Sequence, residues 1–306
     1  MKVSVIIPTR NRAKVVRECL NYILNQSYSP YEVIVVDDGS EDDTIDVLRG
    51  FSEFANFRYI SIPERKGPAF CRNLGVKESD GEIILFIDSD IFTFSNFIEA
   101  HINTHKAYRE EVLVVGPVIS ISNIGREFPK KGSILDFSNA YFASGNASLP
   151  KDLFWQVGGF DEVFNVYGWE DIEFGFKLKR LGVKSVKNPS AVGYHYQPLP
   201  SREELEMLKE KERERAKTAV YLYKKYPSLE VKLMIQLTIF HKMLNKIITG
   251  FGYINEKKVI EVLESNKSYN LKRFVLTGFL TNVYLDALEK YSDLAEDLIR
   301  NQNFTP

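Results

Sequence analysis

Two aspartates, Asp88 and Asp90, stand one residue apart directly after the apolar run at residues 83–87. Five apolar residues bounded by turn-forming residues predict a buried strand. Carboxylates at the carboxyl end of such a strand lie where open α/β sheets bind ligands. Their oxygens suit a hard divalent cation, which in turn attracts phosphate oxygens. A solvated turn is the alternative, because Asp and Ser also favour turns.

A second predicted strand, at residues 31–36, also ends in acid, at Asp37 and Asp38. Asp38 could accept a hydrogen bond from a nucleotide base or a ribose. The same residue could equally open a turn, and Ser40 with Asp43 three residues later resembles a capping box for the helix that follows. From the residues alone both interpretations stay open.

A further acidic segment is Tyr-Gly-Trp-Glu-Asp at residues 167–171. Helical spacing of apolar residues begins at Glu170, so Glu170 and Asp171 are expected in the first turn of a helix. There the helix dipole and free N–H groups stabilise ionised carboxylates, which are suited to take a proton from a sugar hydroxyl. Tyr167 and Trp169 offer faces on which sugars stack. Acids at helix N-termini are also common without any catalytic role, and that alternative stays open.

Three other segments are candidates for ligand contact. His195 follows a predicted strand at residues 190–194 and would complete a metal site only by returning to Asp90; an isolated histidine is also an ordinary structural residue. The small residues 143–147 suit close approach to a ligand, or a tight strand edge. Residues 125–133 are polar, basic and rich in Gly and Pro, which predicts a mobile loop.

The predicted elements that position these residues alternate between strand and helix. The strands are expected at residues 3–7, 31–36, 57–62, 83–87 and 112–119, and the helices at residues 13–25, after Ser40, and at residues 68–77 and 95–108. This alternation predicts an α/β fold with a doubly wound parallel sheet. The first strand-to-helix turn, at residues 8–12, lacks the glycines of a dinucleotide-binding turn and the Lys-Ser/Thr of a nucleoside triphosphatase loop. A nucleotide would have to be held differently.

The character of the chain changes at residue 201, which predicts a catalytic domain at residues 1–200 and a helical region at residues 201–306. Residues 202–217 are densely charged and predict a solvent-exposed helix. Residues 229–251 are apolar at helical spacing, with lysine at 232, 242 and 246. We favour a core helix of a C-terminal bundle here; a membrane-surface contact and an oligomer contact are the alternatives. Helices are also expected at residues 259–263 and 274–299.

Composition restricts the remaining function classes. The 306 residues carry a formal net charge of −1, so nothing indicates a general affinity for nucleic acid. The two cysteines fall within helical patterns and predict no disulfide framework. The N-terminal apolar run is too short for a signal peptide, and no stretch is long enough to span a bilayer. These features predict a cytoplasmic protein, with a peripheral position at the inner face of the membrane as a variant.

Five motifs in this order resemble those of the family-2 glycosyltransferases of the GT-A fold. They are Val-Ser-Val-Ile-Ile-Pro-Thr-Arg-Asn at residues 3–11, Val-Val-Asp-Asp-Gly-Ser at 35–40, Ile-Asp-Ser-Asp at 87–90, Gly-Gly-Phe-Asp-Glu at 158–162 and Gly-Trp-Glu-Asp at 168–171. The resemblance covers about residues 1–197, and the Gly-Trp-Glu-Asp form is similar to the galactosyltransferase and chondroitin-polymerase branch. It implies a GT-A, Rossmann-like fold with a mixed, mainly parallel sheet and helices on both faces.

The resemblance also implies an activity: inverting transfer of a sugar from a UDP-sugar to a hydroxyl of a saccharide or a lipid-linked acceptor. Asp171 would be the general base, and Asp90 with His195 would hold Mn²⁺ or Mg²⁺. The implied donor-binding residues are Pro8, Thr9, Arg10, Asp38, Arg65, Asp88 and Ser89, with Asp38 facing the base. The implied acceptor-binding residues are Asn146, Tyr167, Trp169 and Glu170.

Two other functions compete with this hypothesis. A sugar-phosphate nucleotidyltransferase shares a similar α/β core, but it would be expected to show a Gly-rich loop with Arg and Lys after the first strand. A non-catalytic saccharide-binding or scaffold protein would be expected to have lost at least one of Asp38, Asp88, Asp90 and Asp171, and all four are present.

Overall fold

The structure is a computed structural model that describes residues 1–123, 128, 131–138, 140–250 and 252–302. The chain divides into two compact units. The first consists of Met1–Asn165 and Glu170–Pro198, and the second of Val166–Trp169 and the residues from Leu199 onward. The functional assignment of residues 1–200 and 201–306 as two domains stays a proposal.

The first unit is a sheet covered by helices. Its strands are β1 (Val3–Thr9), β2 (Tyr31–Asp38), β3 (Phe57–Ile62), β4 (Ile83–Ile87), β5 (Ile91–Thr93), β6 (Val112–Val115), β7 (Val118–Ile121), β8 (Asn146–Pro150), β9 (Lys184–Lys187) and β10 (Gly193–Tyr196). Its helices are α1 (Ala13–Ile23), α2 (Thr44–Arg49), α3 (Pro68–Lys77), α4 (Phe97–Ala107), α5 (Lys151–Gln156) and α6 (Glu170–Arg180). A 3₁₀ turn lies at Ile134–Asp136.

The main sheet has seven strands in the order β3-β2-β1-β4-β8-β6-β9, and a second sheet has three in the order β5-β10-β7. In the main sheet only β8 runs antiparallel to its neighbours. Strand β4 is buried along its whole length because helices cover both faces of a doubly wound sheet. The predicted mixed, mainly parallel α/β fold is confirmed.

An aromatic cluster fixes the beginning of α6 against the sheet. The rings that form it are those of Phe86, Phe142, Phe154, Phe160 and Phe174, all buried. The ring centroids of Phe160 and Phe174 lie 4.5 Å apart. Because such cores are close-packed, this cluster gives the first turn of α6 a defined position relative to β4.

Two predicted strands have other bounds than expected. The strand expected at residues 112–119 is in fact β6 and β7, which belong to different sheets. Pro117 has no amide hydrogen for a ladder, and a Cβ on Gly116 would lie 2.0 Å from the Ala191 carbonyl oxygen, so the chain turns here. The strand predicted at residues 190–194 was expected to end before His195. The structure instead has β10 at Gly193–Tyr196, which includes His195.

The capping box predicted at Ser40 is wrong. The Ser40 hydroxyl and amide both donate to the Asp37 carboxylate. Helix α2 begins later, at Thr44, and its N-cap residue Asp43 makes no side-chain cap bond. A local carboxylate therefore takes the hydroxyl that a cap would need.

The second unit is helical: α7 (Leu205–Lys225), α8 (Leu229–Met234), α9 (Ile239–Ile248), α10 (Glu256–Glu264) and α11 (Tyr269–Gln302). The single helix predicted at residues 229–251 is wrong, because Gln236 has a φ of +62° and a new helix begins after Thr238, whose hydroxyl caps it. The expectation that this segment is a core helix is also wrong for α9, which buries Asn245 rather than its apolar residues. None of the described helices is long and apolar enough to cross a membrane.

Candidate active site

The carboxyl ends of β1, β2 and β4 lie at one edge of the main sheet, because these strands run parallel. Two contacts show that the turns after them meet. The Asn11 amide donates to Ser40 Oγ at 2.8 Å, and Arg12 Nη1 lies 2.7 Å from Asp90 Oδ2. The acids that follow β2 and β4 therefore share one edge, as strand direction predicts.

His195 returns to Asp90 through the three-stranded sheet. Strand β5 follows Asp90 directly and pairs antiparallel with β10, so that His195 stands opposite Ile91. His195 Nε2 lies 3.4 Å from Asp90 Oδ2. Burial lowers the pKa of His195, but the hydrogen bond and charge of Asp90 outweigh burial and raise this pKa above its usual value.

Asp90 and His195 form a pair that fits a divalent cation. Asp90 Oδ1 is buried and has no hydrogen-bond partner within the described parts of the chain. Burial raises the pKa of Asp90, but the contacts with His195 and Arg12 lower it to about 2, so the group is a carboxylate at neutral pH. A carboxylate oxygen with an imidazole nitrogen suits Mn²⁺ better than Mg²⁺, which prefers oxygen. Among the described residues no group of three His, Cys, Asp or Glu side chains could hold a metal ion by itself, so a cation at this pair would need further ligands from water or a substrate.

Arg72 on α3 connects the acid after β4 to the acids of α6. Its Nη2 lies 2.9 Å from Asp88 Oδ1, and its Nη1 lies 3.1 Å from Glu170 Oε1 and 4.0 Å from Asp171 Oδ1. Arg72 is 4% exposed, and its guanidinium stands 5.5 Å from the centre of the Phe160 ring. Burial favours the neutral form of Arg72, but the three carboxylates outweigh burial and raise its pKa, so this buried cation stays charged.

Asp171 lies in the first turn of α6, as predicted, and its Oδ2 accepts hydrogen bonds from the Ser144 amide at 2.8 Å and hydroxyl at 2.9 Å. Burial raises the pKa of Asp171 to about 7, because Arg72 offsets this effect only in part and the charge of Glu170 adds to it. The expectation that the helix terminus keeps this carboxylate fully ionised is therefore wrong. A pKa near the working pH is nevertheless the value best suited to a general base.

Thr9 and Arg10 present unsatisfied polar atoms at the carboxyl end of β1. Thr9 Oγ1 and Arg10 Nε are buried and have no hydrogen-bond partner in the described part of the chain. Such atoms are costly to bury, which makes this position a candidate for ligand contact; the contacts of Pro8, Thr9 and Arg10 with a donor stay predictions. Pro8 lies beside them in β1, opposite Val36, and Ser89 is buried between the two aspartates of the acidic turn.

Asp38 fixes the loop that follows β3. Its carboxylate accepts hydrogen bonds from the Lys66 amide at 2.6 Å and the Gly67 amide at 3.0 Å. Gly67 has a φ of +90°, and a Cβ there would lie 2.4 Å from the carbonyl oxygen of Asn165, so only glycine fits. Asp38 thus holds the segment that includes Arg65. The contacts of Asp38 and Arg65 with a nucleotide stay predictions.

The predicted acceptor residues are divided between the two units. Glu170 belongs to the first unit and is buried against Arg72, whereas Tyr167 and Trp169 belong to the second. Trp169 has a φ of +69°, and its indole Nε1 donates to the Arg215 carbonyl at 2.9 Å. Tyr167 is 46% exposed. Their stacking against a sugar stays a prediction.

Asn146 lies in a buried network at the beginning of β8. Its Nδ2 donates to the carbonyl oxygens of Pro117 at 2.9 Å and Ala191 at 2.8 Å. Its Oδ1 lies 2.9 Å from Nε2 of His101, whose pKa burial lowers to about 3. Both amide hydrogens of Asn146 are used inside the protein, so we assign it to the positioning of β8 rather than to the acceptor. The loop predicted at residues 125–133 lies largely outside the described residues.

Sequence reasoning missed Arg72 and Arg12, and it included Ser144 in a candidate ligand segment without predicting its contact with Asp171. A signal for Arg72 was present, because its spacing from Ala69 and Val76 places it on the buried stripe of α3. A charged residue on such a stripe needs a buried partner. The contacts of Arg12 and Ser144 had no comparable signal, because their partners are distant in sequence.

Comparison with known proteins gives two family matches. Residues 4–162 match the model of glycosyl transferase family 2, and residues 130–199 match the model described as the N-terminal domain of galactosyltransferase. The first match covers more than half of the chain.

Two curated relatives match at low identity. Validoxylamine A glucosyltransferase of Streptomyces hygroscopicus subsp. limoneus is 28% identical over 219 residues, which cover 59% of this chain and 48% of that protein. Chondroitin synthase of Escherichia coli is 27% identical over 244 residues, which cover 65% of this chain and 35% of that protein. The chain thus spans about half or less of the length of these relatives.

Two solved structures show the same fold. S. aureus TarS 1-349 in complex with UDP-GlcNAc has a TM-score of 0.55 at 18% identity, with 96% of this chain and 92% of that one covered. The mannosyltransferase PcManGT from Pyrobaculum calidifontis, in complex with GDP-Man and Mn²⁺, has a TM-score of 0.53 at 19% identity, with coverage of 99% and 76%.

Proposed function

Because the chain belongs to glycosyl transferase family 2, we propose that it transfers a sugar from a UDP-sugar to a hydroxyl group of a saccharide or lipid-linked acceptor. The transfer inverts the anomeric centre and uses a divalent cation. The family match gives no support to the alternative function of a sugar-phosphate nucleotidyltransferase.

The observation that carries this proposal is the contact of one buried guanidinium with three carboxylates. Arg72 lies within 2.9 Å of Asp88 and within 3.1 Å of Glu170, and its Nη1 stands 4.0 Å from Asp171 Oδ1. A transferase needs the residues that hold the departing diphosphate and the base that activates the attacking hydroxyl at a fixed separation. The buried Arg72 lies between the acidic turn after β4 and Asp171 and supports such a separation.

The donor is assigned to the edge formed by the turns after β1, β2 and β4. The buried, unpartnered atoms of Thr9 and Arg10 support a ligand there. TarS holds UDP-GlcNAc and PcManGT holds GDP-Man with Mn²⁺, so nucleotide sugars are the donor class of the fold neighbours. Asp90 and His195 would hold the cation. When bound, a divalent cation neutralises charge on the departing diphosphate.

Asp171 is assigned the role of the base. Its carboxylate accepts the proton of the acceptor hydroxyl, whose oxygen forms a bond to the anomeric carbon while the bond to the nucleoside diphosphate breaks. The base and the leaving group lie on opposite faces of the sugar in such a displacement, so the configuration inverts. Ser144 positions Asp171 through both hydrogen bonds to Oδ2.

The test measures donor binding and transfer separately. Thermal unfolding is followed with UDP-, GDP-, dTDP- and ADP-sugars, each with Mn²⁺ and with a chelator; bound ligand at a hundredfold excess over Kd adds about 2.7 kcal/mol of stability. We expect one UDP-sugar with Mn²⁺ to stabilise the protein and Asp90→Asn to remove this effect. Asp171→Asn should still be stabilised by the nucleotide sugar with Mn²⁺ but should no longer release the nucleotide. Asp152 is an exposed carboxylate on α5, and the control variant Asp152→Asn should behave as wild type. Absence of stabilisation by every nucleotide sugar in the presence of Mn²⁺ would overturn the proposal in favour of the scaffold hypothesis.

A further inference from the structure

Helix α9 in the second unit carries its apolar residues on the outside. The exposed apolar side chains are those of Ile239, Phe240, Met243, Leu244, Ile247 and Ile248. Ile239 is 78% exposed and Phe240 is 67% exposed, whereas the buried residue of the helix is the polar Asn245. An amphipathic helix of a globular protein normally has the opposite orientation.

Polar contacts within the second unit fix this orientation. Asn245 Nδ2 donates to Asn282 Oδ1 on α11, and Lys242 Nζ lies 2.6 Å from Glu289 Oε1 on the same helix. The Thr249 hydroxyl, also buried, donates to the Asn245 carbonyl at 2.8 Å. Turning the apolar face inward would break the two contacts with α11 and leave Glu289 without its lysine partner. The exposed face is therefore built into the unit.

The exposed residues form one continuous stripe. They occupy positions i, i+1, i+4, i+5, i+8 and i+9 of the helix, which fall on one side of a helix with 3.6 residues per turn. Large contiguous apolar patches on a protein surface mark a site of interaction with another protein or with a membrane.

Charge decides between these occupants. Helix α9 itself carries two lysines and no acidic residue. Lys242 is paired with Glu289 of α11, and Asp286 of α11 lies within reach of the charge of both lysines. Lys246 is exposed and adjoins the stripe on the helical wheel. A symmetric contact between two copies would place two α9 helices together that carry lysine but no acid, so no ion pair could form between them. Anionic lipid headgroups complement both the exposed Lys246 and the apolar stripe.

We propose that α9 is a membrane-surface helix that lies in the headgroup region of an anionic bilayer. The apolar stripe enters the boundary between headgroups and acyl chains, and Lys246 stays at the level of the phosphates. The inference uses residues of the second unit alone and does not depend on the proposed transfer reaction.

Vesicle flotation of the full chain tests this inference. Wild type is expected to float with phosphatidylcholine vesicles that contain phosphatidylglycerol, and to bind less as salt is raised. Phe240→Ser with Ile247→Ser should weaken partitioning on the order of a hundredfold, because two large apolar side chains are lost. Lys246→Glu should weaken it on the order of tenfold or more. The matched controls, Met207→Ser and Lys224→Glu, change exposed residues of α7 and should leave binding unchanged.

Circular dichroism and thermal unfolding verify that each variant is folded. If the double variant Phe240→Ser with Ile247→Ser does not fold, Lys246→Glu still tests the proposal. The proposal is overturned if wild type fails to float, if it binds neutral vesicles equally well, or if the α9 variants float as wild type does. Concentration-dependent dimerisation that Phe240→Ser and Ile247→Ser abolish, without vesicle binding, would assign the face to a second copy instead. Vesicle binding needs no donor, so this outcome is independent of whether transfer is observed.

Discussion

Replacement of Arg72 by methionine would leave three carboxylates facing one another without the guanidinium that now lies between them. Asp88 and Glu170 would each lose a direct ion pair, at 2.9 Å and 3.1 Å. The Asp88 side chain is 41% exposed and can be hydrated, but that of Glu170 is 9% exposed and would remain a buried, uncompensated charge. Removal of one partner from such a buried ion pair costs about 3–5 kcal/mol. We therefore expect the free energy of unfolding in urea to fall by about 3 kcal/mol or more.

The same substitution should change the pH dependence of transfer. The charge of Arg72 holds down the pKa of Asp171, which burial raises to about 7. An opposite charge at such a distance shifts a carboxyl pKa by about 1–3 units. Without it the pKa of Asp171 rises further, so the base is ionised only at higher pH. The acidic limb of the rate profile, measured as nucleotide release with excess donor and acceptor, should move upward by about 1–3 units.

Arg72→Lys and Arg49→Met serve as comparisons. Lysine keeps the charge but lacks the planar fork that reaches two carboxylates. Arg72→Lys should therefore recover part of the lost stability and return the acidic limb of the pH–rate profile most of the way to its wild-type position. Arg49 pairs with Asp46 on an exposed face of α2, and its loss should cost no more than about 1 kcal/mol. If the free energy of unfolding of Arg72→Met lies within about 1 kcal/mol of the wild-type value and its pH–rate profile does not move, the guanidinium does not hold these acids together.

Three further predictions concern single residues of the site. Asp171→Asn should lower kcat by about 10²–10⁴-fold. The pKa of Asp171 is higher in the folded than in the unfolded protein, so the wild type should lose stability relative to this variant as pH rises from 4 to 7. Urea unfolding at each pH measures this difference. Arg12→Gln should raise the affinity for Mn²⁺ alone by up to about fivefold in calorimetric titration, since the pair with Asp90 is partly exposed and worth about 1 kcal/mol; unchanged affinity would exclude competition. Gly67→Ala should lower the free energy of unfolding by about 2 kcal/mol or more, because its Cβ would meet the Asn165 carbonyl oxygen at 2.4 Å.

Much of the first unit could be predicted because burial on both faces leaves a clear pattern. Strand β4 consists of five consecutive apolar residues, and β1 and β2 contain shorter apolar runs at residues 5–7 and 33–36. The antiparallel strand β8 could not be predicted in this way, because Asn146–Pro150 is short and alternates polar with apolar residues although it is almost wholly buried. Its polar side chains are satisfied by partners on α4 such as His101, which periodicity cannot show.

The candidate site could be predicted only for residues whose place follows from where a single strand ends or a single helix begins. The positions of Asp88 and Asp90 follow from the end of β4, and that of Asp171 from the beginning of α6. The protonation of Asp171 does not follow, because it depends on burial against the Ser144 loop and on an arginine 99 positions earlier in the chain. The apolar face of α9 was also misjudged, since the sequence shows an amphipathic helix but not which face meets its neighbours.

The two arginines of the acidic edge differ in a way that separates their functions. The Arg12 side chain is 35% exposed and contacts one carboxylate, Asp90, whereas the Arg72 side chain is 5% exposed and contacts two, with a third at 4.0 Å. The partly exposed Arg12 can leave Asp90 at low cost, because water hydrates its guanidinium and His195 still lies 3.4 Å from the carboxylate. The buried Arg72 cannot leave in this way, because Glu170, whose side chain is 9% exposed, would remain uncompensated. We therefore expect Arg12 to be an exchangeable cation, which a metal ion at the proposed site would displace from Asp90, and Arg72 to be a permanent one. Substitution of Arg12 should therefore change metal affinity and leave stability nearly constant, while substitution of Arg72 should change stability and the pKa of Asp171 together.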